Sequence, residues 1–440
     1  MKTLRALPPL LLLAAAVFSL SLPNQAFACR ADCDFDCSVT VDEILKLVNG
    51  GLGELPVTSC LAGDSNLDRR ITVDEILTGV TNALNGCGGP PCVAAAESRC
   101  RVPAGSGVNF DPTDRSCQYL SSYRLFKGSG ALQIPNDDVV PFDLNTILFS
   151  DYTLKHRFVW LPPGTSAIYD DHTSFDFPVG TVIIKTFAFP TDQTVENPGQ
   201  DVLETRLLVR RPDGWAGIPY VWNEDKSDAV LKIVGATLTV SGVQADGVFG
   251  TYQYSVPNSN QCEECHREHD DIMNVLGPKA RHLNKVYEYP DGAANQLTKW
   301  TELGILSGAP ADPNDAPPGV VFDDPNSGTL EERARMYLDI NCAHCHNESG
   351  AARTTGFWVD IAQTDPGHLG ICKAPTAAGP GTGGFGRVID PGHPESSIVT
   401  FRMDSVEPEI AMPELGRRRI HEEGLAVIAD WIASMEPTCE

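Results

Sequence analysis

Positive charge is scarce in this chain: 33 Lys and Arg stand against 58 Asp and Glu, for a formal net charge of −25. A surface of that sign repels phosphate, which excludes nucleic acid and anionic membrane as partners and suits calcium, basic redox proteins or simple solubility. Long apolar runs are scarce as well. The run at residues 10–20 is too short to span a bilayer, so no transmembrane segment is expected. Methionine is limited to six residues, which leaves few thioethers for any metal. Hydrolytic machinery is missing too, since no Ser-His-Asp or paired-carboxylate arrangement stands out in the middle of the chain.

Residues 1–28 have the makeup of a secretory signal: Lys2 and Arg5, the apolar run, then Ala26-Phe27-Ala28 as a small-x-small cleavage site. Its removal takes Lys2 and Arg5 with it and moves the charge from −25 to −27. The mature protein is expected in the periplasm or outside the cell; a lipid anchor at Cys29 is the lesser alternative. Export makes disulfides the default for cysteines without another task. Fourteen cysteines, less four in the motifs below, leave ten, of which eight fall between Cys29 and Cys117. Cys372 and Cys439 are left for each other, and sequence fixes no connectivity.

The motif that organises the chain is Cys342-Ala343-His344-Cys345-His346. Two thiols three positions apart followed by an imidazole form the attachment pattern of a c-type haem, with thioethers at Cys342 and Cys345 and His346 as proximal iron ligand. A redox dithiol needs no trailing histidine, and a zinc site needs further ligands that are not nearby. Residues 330–338 read as a helix entering the motif, and Glu422 to Met435 as a closing helix with Leu425, Ile428, Ala429 and Ile432 on one stripe. Between them Met412-Pro413 stands in a stretch with little periodicity, where a loop can bring a thioether over the other haem face. Met412 is the expected distal ligand, with Met403 the competing choice. Residues 329–440 resemble a class I cytochrome c domain.

A second copy, Cys262-Glu263-Glu264-Cys265-His266, predicts a second covalent haem on Cys262 and Cys265 with His266 proximal. It follows the strand-like residues 251–257, so this haem should hang from the end of a β region. Its distal ligand is open among Met273, His269, His282, Met336 and His156, or a vacant position.

Near the start, Asp32, Asp34, Asp36, Thr40 and Glu43 are matched 32 residues later by Asp64, Asn66, Asp68, Thr72 and Glu75. Oxygen donors at positions 1, 3, 5, 9 and 12 follow the calcium-loop pattern, and each loop feeds an amphipathic helix, with Ile44, Leu45 and Val48 in one and Ile76, Leu77 and Val80 in the other. The pair resembles a dockerin-like or EF-hand-like module, which would bind calcium and offer a docking surface. Cys37 and Arg69 stand where the pattern has glycine. Two acidic turns held by disulfides are the plainer alternative.

Residues 89–131 read as a Cys-, Gly- and Pro-containing connector. Residues 132–257 are β in texture, with runs at 158–161, 181–187, 204–210 and 231–240 that predict an antiparallel sandwich or barrel. Trp160, Trp215, Tyr220 and Trp222 belong to its core. Residues 258–308 complete the first haem segment, and 309–328 form a linker. The fold class expected is multidomain α+β: a small helical calcium-loop module, a β-sandwich or barrel, and two haem segments, the last all-α.

Segments 141–152, 177–187, 214–223, 276–284, 337–346 and 412–416 together resemble a bacterial family of exported dihaem c-type cytochromes. The resemblance implies two covalent haems and redox function, and names no substrate. Electron carriage between redox proteins is the first expectation. A dihaem, peroxidase-like oxidoreductase, with an open first haem fed by the second, is the alternative.

Overall fold

The computed structural model describes residues 29–33, 38–55, 57–64, 68, 70–87, 100, 105–113, 116–196, 198–267, 273–376 and 378–439. The signal-peptide reading falls outside them. The chain divides into two compact units after Ala96. Taken as a whole the chain is α+β: eight α-helices and several antiparallel pairings occur among the described residues, and none of the helices is long and apolar enough to cross a membrane.

The first unit holds helices α1 (Val41–Leu52) and α2 (Val73–Asn85). Each starts at a threonine, Thr40 or Thr72, in a capping box with the glutamate three residues on, which satisfies helix N–H groups that would otherwise lack partners. Leu47, Ala31, Val39, Ala62 and Ile71 make its small core, tied by the disulfides Cys29–Cys87 and Cys33–Cys60. Leu45 and Leu77 depart from the expected apolar stripe: both are more than half exposed, and Leu47 is the fully buried residue of α1.

The second unit is built on an open six-stranded antiparallel sheet. Its strands are β1 (Val140–Phe142), β2 (Leu154–Trp160), then, after the short β3 (Ala167–Ile168), β4 (Val182–Pro190), β5 (Gln200–Arg211), β6 (Gly214–Trp222) and β7 (Ala229–Leu231). They run in the order β1-β2-β4-β5-β6-β7, so no barrel closes. The expected run at 231–240 is two elements, because the chain turns at Gly235, whose φ of 73° lies in the left-handed region that favours glycine, between β7 and β8 (Ala236–Val243). Strand β8 pairs with β9 (Phe249–Val256) as a separate hairpin that packs on Phe187, Phe189 and Val221.

One face of the sheet buries Trp160, Ile184, Leu207, Tyr220 and Trp222 under Cys117, Leu120, Tyr123 and Leu125. The stretch expected to be a connector is therefore, from residue 100 onward, the cover of this face, stapled by Cys100–Cys117. Tyr220 donates to the Cys117 carbonyl at 2.7 Å. Against the opposite face lie α3 (Ser259–His266), α4 (Ala280–Leu283), the hairpin β10 (Val286–Tyr289) and β11 (Gly292–Asn295), α5 (Gln296–Glu302) and β12 (Leu306–Ser307). The expected linker is docked too: Phe322 is buried and the Thr146 hydroxyl donates to the Val320 carbonyl at 2.7 Å.

The C-terminal segment contains α6 (Leu330–Asn341), α7 (Ile398–Met403) and α8 (Glu422–Ala433) and no strand among the described residues. Helices α6 and α8 cross closely because Gly424 has no side chain; a Cβ there would lie 2.3 Å from the Tyr337 ring. Cys372–Cys439 ties the chain end to this segment.

Candidate functional site

The first CxxCH lies on α3 itself, immediately after strand β9. Asn258 caps the helix by accepting from the Gln261 N–H at 2.8 Å, and Gln261 accepts from the Asn258 N–H at 3.1 Å. The helix presses on β6 at Gly217, where a Cβ would come within 3.0 Å of the Cys262 Cβ. His266 closes α3, and its Nδ1 is 2.8 Å from the Asn274 carbonyl. A carbonyl can only accept, so Nδ1 carries the proton and Nε2 keeps its lone pair.

The second CxxCH follows the end of α6. His346 Nδ1 is 3.2 Å from the Phe357 carbonyl, which fixes the same tautomer. Burial pushes the pKa of each histidine down to about 4, so both are neutral at pH 7. A neutral imidazole with Nδ1 held by a carbonyl is the form that ligates iron through Nε2.

Cys262, Cys265, Cys342 and Cys345 are free, whereas the other described cysteines are paired in disulfides. Cys262, Cys265 and Cys342 open on two adjoining cavities. The larger, about 240 Å³ of space open to the centre of a water molecule, is lined by Cys262, Cys265, His266, Cys342, His344, Met403 and Met412 among others. The smaller, about 190 Å³, is lined by Cys342, His346, Phe357, Met403 and Met412. The two motifs meet: Cys345 and His344 both interact with Cys265 and favour its thiolate. Thiols, fixed imidazoles and thioethers converging on apolar-walled cavities fit covalent haem at both motifs.

Met412 and Met403 both reach both cavities, but their settings differ. Met403 is buried in the apolar cluster of α6 and α8. Met412 is half-buried on the loop, its N–H donating to the Arg402 carbonyl at 3.0 Å and its carbonyl accepting from Arg417 at 2.8 Å.

The sequence candidates for the other axial position fare less well. His282 Nε2 is 3.0 Å from Asp339, His156 Nε2 is 2.7 Å from Gln200, and Met336 is buried elsewhere; none of the three lines either cavity. Met273 lies beside Cys262 without lining either of these two cavities, and His269 is outside the described residues. Residues not singled out from sequence do line the larger cavity: Lys185, Tyr337, His344 and His421. Only His344 carried a sequence signal, its place inside the second motif.

Of the calcium-loop residues, Asp34, Asp36 and Asn66 lie outside the described residues. Asp32, Glu43, Asp64 and Glu75 are buried. Thr40 and Thr72 serve as N-caps, with hydroxyls 3.0 and 2.9 Å from Glu43 and Glu75. Asp68 donates its N–H to Asp64 at 3.1 Å. Among the described residues no group of three or more metal-ligating side chains is gathered. Compared with protein-family models, curated proteins and solved structures, the chain matches none.

Proposed function

We propose that this chain is an exported dihaem c-type cytochrome that passes electrons between protein partners outside the cytoplasm. The observation that carries the reading is the convergence of both CxxCH motifs, each with a neutral, tautomerically fixed histidine, on adjoining cavities. Haem c attached at each motif supplies a one-electron couple. His266 and His346 would hold the iron through Nε2, the apolar cavity walls would exclude water, and the Met412 thioether would be available as a further ligand beside His346. Contact between Cys265 and the second motif favours rapid exchange between the two centres.

The disulfides, including Cys372–Cys439, agree with an oxidising compartment. In the first unit, Val41, Leu45 and Leu52 are exposed and recur 32 residues later as exposed Val73, Leu77 and Leu84, which supports a calcium-organised docking module. The peroxidase-like alternative draws on one observation: His156, His282 and Met336 stand away from the larger cavity, which leaves the first haem without the sixth ligand expected from them. Counting covalent haems in denatured protein tests the reading. Two are expected, and one or none rejects it. A high-spin signal from the oxidised holoprotein would favour the open-haem alternative.

A further inference from the structure

Three cations stand side by side across the middle of the sheet. Arg157 on β2 is in register with Lys185 on β4, and Lys185 with Arg206 on β5. All three line the larger cavity with Cys262 and His266. Like charges directly opposite on neighbouring strands destabilise a sheet, and burial adds their desolvation. In a chain with net charge −25 such a row calls for a counter-charge.

The protein supplies it at the flanks. Arg157 Nη1 is 2.6 Å from Asp143, and Arg206 holds Glu204 through Nε at 2.8 Å and Nη2 at 2.5 Å. It does not supply it at the centre. Lys185 lies 4.7 Å from the Phe187 ring centroid and makes no ion pair among the described residues. Next to it Arg157 Nη2 is buried without a hydrogen-bond partner, on a residue 6% exposed. Asp339 is the one carboxylate lining this cavity among the described residues, and it is committed to Arg281 and His282.

We propose that Lys185 and Arg157, flanked by Arg206, bind a carboxylate in this cavity: the propionate edge of the haem attached at Cys262 and Cys265. The assignment rests on the dihaem reading. Strand spacing supports the propionate over a free anion. Cys262 packs on β6, and β4 and β2 lie two and three strands away, laterally about 10 and 14 Å at ~4.8 Å per strand, a span comparable to the width of a porphyrin. The thioether edge at α3 thus leaves the opposite, carboxylate-bearing edge at the row. Cations there orient the haem and hold its propionates ionised.

The test uses full-length holoprotein carrying Lys185→Met or Arg157→Gln, with Lys185→Arg as the conservative control. Covalent haem is counted first, then both potentials are followed from pH 5 to 8. The first haem is the one whose potential Met412→Ala leaves in place. In wild type its potential should be nearly flat with pH. In Lys185→Met and Arg157→Gln it should fall, because a cation beside the haem favours the ferrous state, and it should acquire a pH dependence as a propionate titrates; Lys185→Arg should restore both. Lys185→Met orphans no partner, so it should still fold. Unchanged potentials and pH profiles in variants that keep both haems overturn the assignment alone. A wild type lacking haem at Cys262 and Cys265 overturns the dihaem reading with it. Saturable stabilisation of wild type by acetate or sulfate, lost in Lys185→Met, would show a free anion in the row and overturn the propionate as its occupant.

Discussion

Arg281 and Asp339 form a doubly hydrogen-bonded, buried ion pair between α4 and α6, with Nε to Oδ2 at 2.8 Å and Nη2 to Oδ1 at 3.0 Å. It joins the segment after the first CxxCH to the helix that enters the second. The same carboxylate accepts from the Ile361 N–H at 3.0 Å and lies 3.0 Å from His282 Nε2. These hydrogen bonds and the nearby cations hold the Asp339 pKa far below the usual carboxylate range despite its burial.

Asp339→Ala should therefore destabilise the second unit by roughly 3–5 kcal/mol, since it leaves Arg281 buried and uncompensated. The double variant Asp339→Ala with Arg281→Met should recover part of the loss. Denaturant midpoints of the three proteins check both statements.

A pH effect follows from His421. Its Nδ1 shares a 2.9 Å hydrogen bond with the Tyr337 hydroxyl, its ring stacks on Phe149 at 4.3 Å, and burial pushes its pKa down to about 4. The unfolded chain takes up this proton near pH 6.5 and the folded protein only near 4. Between those values the unfolded state binds more protons, so stability falls as the pH falls through the window. His421→Gln should flatten the dependence between pH 6.5 and about 4 by the contribution of one proton. Urea midpoints measured across that range would show no change in slope if His421 is not responsible.

Gly424→Ala places a methyl group where the Tyr337 ring stands, 2.3 Å from its Cζ. Either α8 moves or the ring does, and overpacking of this kind costs about 1–3 kcal/mol. Gly424→Ala should lower the thermal midpoint, and pairing it with Tyr337→Leu should relieve part of the loss.

The parts of the fold legible in the sequence are those whose signal is local. The CxxCH motifs are contiguous, and α6 and α8 declare themselves through helical spacing. Strand β6 was hidden, since Pro219 and the glycines at 214 and 217 dilute its pattern, yet Gly217 is needed where α3 approaches. Cys117, Leu120, Tyr123 and Leu125 have no regular period, so their role as the cover of a sheet face depends on what they pack against. Lys185 shares a strand face with the apolar Ile183 and Phe187, against the pattern of that face; only the cavity shows why a cation stands there. At Thr40-to-Glu43 and Thr72-to-Glu75 one spacing serves two purposes, because positions 9 and 12 of a calcium loop are also a capping box.

That coincidence gives a discriminating experiment on the first unit. Glutamine completes a capping box as glutamate does but lacks the negative charge that calcium needs. In chelator Glu43→Gln with Glu75→Gln should keep both capping boxes and cost about 1–3 kcal/mol, because Glu43 Oε1 also accepts from the Cys33 N–H at 2.6 Å and an amide NH2 there cannot. Wild type should melt higher with calcium than with chelator, and the double variant should lose most of that rise. Equal melting of wild type in the two conditions would leave the capping boxes as the whole explanation.

The last prediction separates Met412 from Met403. Both line the smaller cavity together with His346, so position alone does not choose between them. Their surroundings do: Met403 is 8% exposed within the apolar cluster, whereas Met412 is half-buried on a loop pinned through Arg402 and Arg417. Met412→Ala should remove a far-red sulfur-to-iron band from the oxidised holoprotein, lower the potential of one haem and open that iron to cyanide, because a thioether favours the ferrous state. Met403→Ala should instead keep the band and cost about 2–5 kcal/mol of stability through the cavity it leaves. Met412→His should restore six-coordination at a lower potential, which distinguishes ligand loss from unfolding. If Met403→Ala abolishes the band and Met412→Ala leaves it, the ligand is Met403 and the Met412 loop is only a wall of the cavity.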